Sequence, residues 1–194
     1  MNSANNLQIY PRHKFSVDDY YKMAEVGILN EDSRVELIEG EILQMVPIGS
    51  KHASMVDKLA RVPGKKVPDN YVVRIQNPLR LPNNTEPEPD VMLLKPRADE
   101  YSDSHPTAHD VLLLIEVSDS TLDYDRKVKL PLYARYHIPD VWIIDLNSQH
   151  LEQYSHPTGD SYVDFDLLDS RHTVVLPTLP DATIKLMDLF GLKK

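Results

Sequence analysis

The stretch Val111–Tyr136, VLLLIEVSDSTLDYDRKVKLPLYARY, constrains the fold more than any other part of the chain. Its first seven residues are apolar except for Glu116, and turn-forming Ser, Asp and Thr residues follow at once. A short apolar run bounded by turn signals predicts a strand buried on both faces. The basic segment after it, Arg126-Lys127-Val128-Lys129, reads as the start of a helix. A strand–turn–helix unit sets the strand's C-terminal end beside the helix N-terminus, where open α/β sheets bind ligands. Glu116 sits at that end. An ionised carboxylate is expensive to bury unless a cation, a metal or hydrogen-bond donors meet it. Glu116 is therefore half of a structural Glu–Lys pair or part of a site.

Around this unit the chain has room for one core. Its 194 residues and 41% hydrophobic content suit one ordinary globular domain at 15–194, with a loose polar arm at 1–14. The absence of cysteine excludes disulfides, thiolate catalysis and cysteine-ligated zinc. No apolar run approaches the roughly 18 residues of a membrane span, and no signal-peptide pattern is visible. A cytoplasmic location with no membrane partner is expected. Lys plus Arg is 21 against 30 for Asp plus Glu, giving a net charge of −9. A protein that grips nucleic acid over a broad basic face has the opposite balance. Any such contact must rest on a local basic patch, a bound metal or a partner.

Upstream, Ser16 and Asp19 form a capping-box pattern that predicts a helix to about Val26, stopped by Gly27. Arg34–Met45 alternates on both sides of Glu39-Gly40, which predicts a two-residue hairpin with Leu37 opposite Ile42 and Glu36 opposite Leu43. Period-two geometry puts Glu36 on a face with Ile38, Leu43 and Met45. That face is half solvated, or Glu36 is a second carboxylate that requires a cation. His52–Arg61 reads as a helix ended by Pro63-Gly64, and Tyr71–Gln76 as a strand before a Pro/Asn-rich connection. Val91–Leu94 is a second buried strand, preceded by Asp90. In the polar loop that follows, His105 and His109 are four apart, but Pro106 between them argues against a metal pair. Pro139–Asp145 is a third apolar strand, laid parallel to 111–117 by a right-handed crossover. Leu151–Tyr154 and Ser161–Leu168 form a hairpin, and the tail Leu179–Phe190 ends in a short helix.

Strands 90–94 and 111–117 suit an antiparallel pair with a long loop. Pairing Leu94 with Leu112 makes Asp90 the direct partner of Glu116, because residue numbers in an antiparallel ladder have a constant sum. Two carboxylates at that distance repel unless something positive lies between them. A divalent cation with oxygen ligands satisfies them, and so does Lys127 or Lys129. The hairpin can bring Glu36 as a third oxygen donor.

Together these residues resemble the PD-(D/E)XK nuclease superfamily, and more closely its Uma-type restriction endonuclease family, over roughly 16–190. The likeness rests on Val35-Glu-Leu-Ile-Glu-Gly40, His52, Glu88-Pro-Asp-Val91, Glu116-Val-Ser-Asp-Ser-Thr121, Asp125-Arg-Lys-Val-Lys129, Tyr133-Ala134 and Pro139–Asp145 in this order. It implies a restriction-endonuclease-like α/β fold: a central mixed sheet flanked by helices, with extra N- and C-terminal hairpins. It also implies hydrolysis of nucleic-acid phosphodiesters, with DNA the expected substrate, by a homodimer. Mg²⁺ or Mn²⁺ would be held by Asp90, Glu116 and the Val117 carbonyl, and a lysine would orient the attacking water. The superfamily's lysine usually lies two residues after the glutamate, where this chain has Ser118. By its spacing from Asp125 and Tyr133, Lys129 on the following helix matches the displaced lysine. Lys127 lies about 200° away around a regular helix. Pro131 is compatible with a regular helix beginning near Val128. The alternative is a catalytically inactive binding or accessory protein on the same fold, a reading that the negative charge favours.

Overall fold

The computed structural model describes residues 12–61, 68 and 71–192. Ser16 caps helix α1 (Val17–Glu25), with the reciprocal Ser16–Asp19 bonds that the capping box requires. Of the arm expected at 1–14, residues 12–14 are described, and Lys14 pairs with Glu41 at 2.8 Å. Strands β1 (Val35–Ile38) and β2 (Glu41–Gln44) pair in the expected register, Glu36 with Leu43 and Leu37 with Ile42. Both turn residues have positive φ, 49° at Glu39 and 79° at Gly40. A Cβ on Gly40 would lie 2.8 Å from the Cβ of Lys14, so this turn needs glycine for space as well as for conformation. Helix α2 (Ser50–Arg61) follows. Its expected stop at Pro63-Gly64 lies outside the described residues.

The centre is a six-stranded mixed sheet. Its strands are β3 (Val72–Ile75), β4 (Val91–Leu94), β5 (Val111–Ser118), β6 (Asp140–Asp145), β7 (His150–Thr158) and β8 (Ser161–Leu168), hydrogen-bonded in that order. The crossover makes β5 and β6 parallel, and every other neighbouring pair is antiparallel. The β4–β5 register matches the constant-sum expectation at Val91↔Ile115, Met92↔Leu114 and Leu93↔Leu113. It slips at the far end, where a bulge pairs Leu94 with Val111 instead of Leu112. That slip is remote from Asp90. The strand β7 runs further than expected, through Pro157, where its β6 partner has already ended at Asp140↔Ser155. A proline is tolerated there because one side of the strand is free.

Side-chain parity divides the core in two. Leu113, Ile115 and Val117 of β5, with Trp142 and Ile144 of β6, meet Met55, Val56 and Leu59 of α2. The same layer takes in helix α5 (Leu186–Phe190) and the hairpin of β9 (Thr173–Leu176) and β10 (Leu179–Lys185). Leu114, Val141 and Ile143 lie in the other layer with Leu132, Tyr133 and Ile138. Glu116 shares the parity of Leu114 and so faces this second layer. The tail begins as a strand before α5, and its partner β9 lies in a stretch to which the sequence pattern assigns no element.

The connection from β5 to β6 departs most from expectation. Helical structure starts at α3 (Leu122–Tyr124), not near Val128. It passes through a π-helical turn at Asp125–Lys129 and resumes as α4 (Leu130–Arg135). Leu130 N–H bonds to the Asp125 carbonyl, five residues back. Pro131 directly follows the π-turn, within the continuous helical stretch 122–135, where the regular i→i−4 ladder is already interrupted. A π-turn inserts one extra residue and so changes which side chains face the sheet.

Candidate active site

Asp90 lies one residue before β4, and the ladder step beyond Val91↔Ile115 sets it opposite Glu116. Its carboxylate is held by three donors. His52 Nε2 and the Val117 backbone N–H reach Oδ2 at 3.0 and 2.9 Å, and Gln76 Nε2 reaches Oδ1 at 3.1 Å. The bond to Asp90 holds His52 above the ordinary histidine pKa. His52 Nδ1 is buried with no hydrogen-bond partner among the described residues. Ser118 O accepts a bond from Leu146, across towards β6. Strand alternation therefore turns the backbone groups of Val117 towards β4 and Asp90.

Glu116 is 3% exposed and Lys129 6%, so both are taken out of water. Lys129 Nζ lies 3.3 Å from Glu116 Oε1 and 3.4 Å from Glu36 Oε2, one ammonium between two carboxylates. Tyr133 donates to the same Glu116 oxygen at 2.5 Å, leaving Oε2 without a hydrogen-bond partner among the described residues. Glu36 is met on both oxygens, by Tyr124 OH at 3.1 Å and by the Glu88 N–H at 3.3 Å. Burial pushes the Glu116 carboxyl up to about 8, further than Lys129 pulls it down. Burial also works against the lysine's charge, but Glu116, Glu36, Asp125 and Asp90 outweigh it and keep Lys129 protonated. Lys127 points away from this cluster and pairs at the surface with Asp123 at 2.7 Å.

Ser118 has its own task. Its hydroxyl donates to Asp125 Oδ2 at 2.7 Å, as does that of Thr121. The strand end thereby ties down the first residue of the π-turn that delivers Lys129. Arg126 fastens the same turn from outside by an ion pair with buried Glu152, which also accepts from Tyr154 at 2.6 Å.

Asp90, Glu116, Lys129 and Glu36, with His52, Gln76 and Tyr124, line one cleft of about 510 Å³. Six carboxylates line it (Glu36, Glu88, Asp90, Glu116, Asp119 and Asp125), against two permanent cations, Arg34 and Lys129. Among the described residues, no three His, Asp or Glu side chains are gathered into a metal-holding cluster. The sequence brought Asp90, Glu116, Glu36 and Lys129 into view. It did not indicate Gln76 or Tyr124, and it gave Tyr133 as a motif position without indicating that its hydroxyl meets Glu116. Gln76 was within reach, because the β3–β4 register continues from Ile75↔Val91 to Gln76 opposite Asp90. Tyr133 follows Lys129 by four, the spacing of one helix face.

A six-stranded mixed sheet, with acidic residues at the ends of two central strands and a lysine from the following helix, defines a restriction-endonuclease-like nuclease fold. The chain belongs to the Uma2 family, described as "Putative restriction endonuclease", whose profile matches residues 17–187. Among solved structures it is similar to a protein of Anabaena variabilis ATCC 29413, described as "a putative nuclease belonging to DUF820". The TM-score is 0.72 at 16% identity, covering 91% of this chain and 98% of that one, a likeness that carries the fold. No curated relative matches the chain.

Proposed function

We propose that residues 15–194 act as one nuclease domain that hydrolyses nucleic-acid phosphodiesters with Mg²⁺ or Mn²⁺, using Asp90, Glu116 and Lys129. The observation that carries this reading is the placement of all three in one cleft, with Lys129 Nζ 3.3 Å from Glu116. The donors suit a hard divalent cation. Among the described residues Asp90 Oδ1 has a single partner and Glu116 Oε2 has none, so each carboxylate keeps an oxygen for it. Magnesium typically takes one or two carboxylates and keeps several waters, so two carboxylates and the Val117 carbonyl are a sufficient set. The excess of carboxylates in the cleft supports the same conclusion. When bound, the cation supplies Lewis-acid polarisation of the phosphate and lowers the pKa of a water.

The chain's own residues do the rest. His52, Gln76 and the Val117 N–H hold Asp90 in one orientation. Tyr133 does the same for Glu116. Lys129 orients the attacking water and balances charge that builds on the phosphate. Glu36 is better read as the residue that positions Lys129 than as a metal ligand, since both its oxygens already have protein partners.

No described helix is long and apolar enough to cross a membrane. A cysteine-free chain fits the cytoplasm. A homodimer is supported by the edge strand β8, whose Val163, Phe165 and Leu167 are 67, 54 and 54% exposed on one face. The competing reading, a non-catalytic binding protein, draws on the net charge of −9.

Single-turnover cleavage of a labelled oligonucleotide panel with Mn²⁺ tests the proposal. Wild type and Lys127→Ala should cut, and Lys129→Ala should lose most activity while keeping metal affinity. Activity lost at Lys127 and kept at Lys129 reverses the assignment. No cleavage of any substrate by metal-loaded wild type favours the binding protein.

A further inference from the structure

We infer that the cleft takes an unpaired nucleotide, not an intact duplex, and lays its base on an apolar wall beside the carboxylates. This deepens the nuclease reading and rests on it. The wall is the segment from β2 to α2: Leu43, Met45, Val46, Pro47 and Ile48 all line the same cleft as Asp90 and Glu116. Val46 is 51% exposed and Ile48 38%, so their apolar surface is open to water rather than packed into the core.

What can cover such a wall follows from the chemistry of nucleic acids. A duplex shows a protein its phosphates, sugars and base edges, while the faces of its bases are stacked on one another. An apolar wall gains little from phosphates and much from a base face, which is exposed only where a strand is unpaired or a base is turned out. The volume agrees. About 510 Å³ lies in the range of small-ligand sites and suits one or two nucleotides.

Charge points the same way. Duplex affinity comes largely from neutralising many phosphates. Here Lys129 is engaged with Glu116 and Glu36. The other permanent cation of the cleft, Arg34, is exposed on the rim, with no hydrogen bond or ion pair from its guanidinium among the described residues. A guanidinium that feels the charge of Glu88 but makes no hydrogen bond or ion pair among the described residues, beside an apolar wall, suits one phosphate and one base.

The test uses the full chain with Ca²⁺ in place of Mg²⁺, to hold cleavage back. Fluorescence anisotropy compares a 12-nucleotide single strand, the same strand in a perfect duplex, and a duplex with a short flap. The single strand and the flap should bind at least tenfold tighter than the duplex. The double variant Val46→Ser/Ile48→Ser, with an unchanged urea midpoint, should lose most of that preference. Binding to wild type should weaken at least fivefold when bases are replaced by abasic sites, and binding to the double variant should not change. Equal or tighter duplex binding overturns the inference, as does a double variant that binds like wild type, or no binding of any oligonucleotide. Duplex cleavage in Mg²⁺ that ignores the double variant would leave the nuclease reading standing and remove this one. Base-dependent binding without cleavage of any substrate would do the reverse.

Discussion

Lys129→Met removes a buried ammonium and keeps most of the side chain's length. In wild type that ammonium lies 3.3 Å from Glu116 and 3.4 Å from Glu36, on a side chain 7% exposed. Removing one member of a buried ion pair costs about 3–5 kcal/mol, mainly because the remaining charge is stranded. Here two carboxylates lose their cation, but protonation of Glu116 limits the loss, since burial already raises its pKa. The lower end, about 3 kcal/mol, is therefore expected. For a chain of this size that is a fall of roughly 6–12 °C in melting temperature. Lys127→Met is the control. Its partner is the exposed Asp123 one helical turn away, and both side chains are more than two-thirds in water. Such pairs contribute about 0.3–0.5 kcal/mol, so its midpoint should move by no more than about 2 °C. Urea and thermal unfolding in EDTA at pH 7, followed by circular dichroism, give both values. A difference under about 1 kcal/mol between the two variants, or a larger loss at Lys127, would refute the buried triad.

Tyr133→Phe deletes the hydroxyl that donates to Glu116 at 2.5 Å without adding or removing charge, and should cost about 1–3 kcal/mol in urea unfolding. A neutral result would mean that Glu116 is satisfied in another way. Gly40→Ala must place a Cβ at φ 79° and 2.8 Å from the Cβ of Lys14. It should cost more than about 1 kcal/mol, and an unchanged midpoint would contradict the turn geometry. Arg126→Ala leaves Glu152, 1% exposed, with Tyr154 as its remaining side-chain donor. Because the arginine is 42% exposed, the loss should be nearer 1–2 kcal/mol than the full cost of a buried pair, and a stabilised variant would show that the pair does not anchor the π-turn.

Much of the sheet was legible because burial imposes period two on a strand. VLLLIEV was legible instead as a short apolar run bounded by turn residues, and the constant-sum register set Asp90 opposite Glu116. The capping box and the Glu39-Gly40 turn were legible because each rests on chemistry confined to a few consecutive residues. The π-turn was not. Nothing local distinguishes DRKVK from an ordinary helical turn, and only the bonds from Ser118 and Thr121 to Asp125 show what holds it. Pro131 drew attention to the right segment, but from it alone the helix start fell several residues late. Glu36 was legible as a carboxylate on an apolar face. That both its oxygens are taken depends on Tyr124 and on a backbone N–H from position 88, contacts made 88 and 52 residues away in the chain.

The central claim is that Asp90 and Glu116 together hold one divalent cation. Isothermal titration of Mn²⁺ into metal-free wild type, Asp90→Asn and Lys127→Met tests it without knowledge of the substrate. The account predicts one site per chain in wild type and in Lys127→Met, and at least a tenfold loss of affinity in Asp90→Asn. Equal affinity in all three proteins would contradict it.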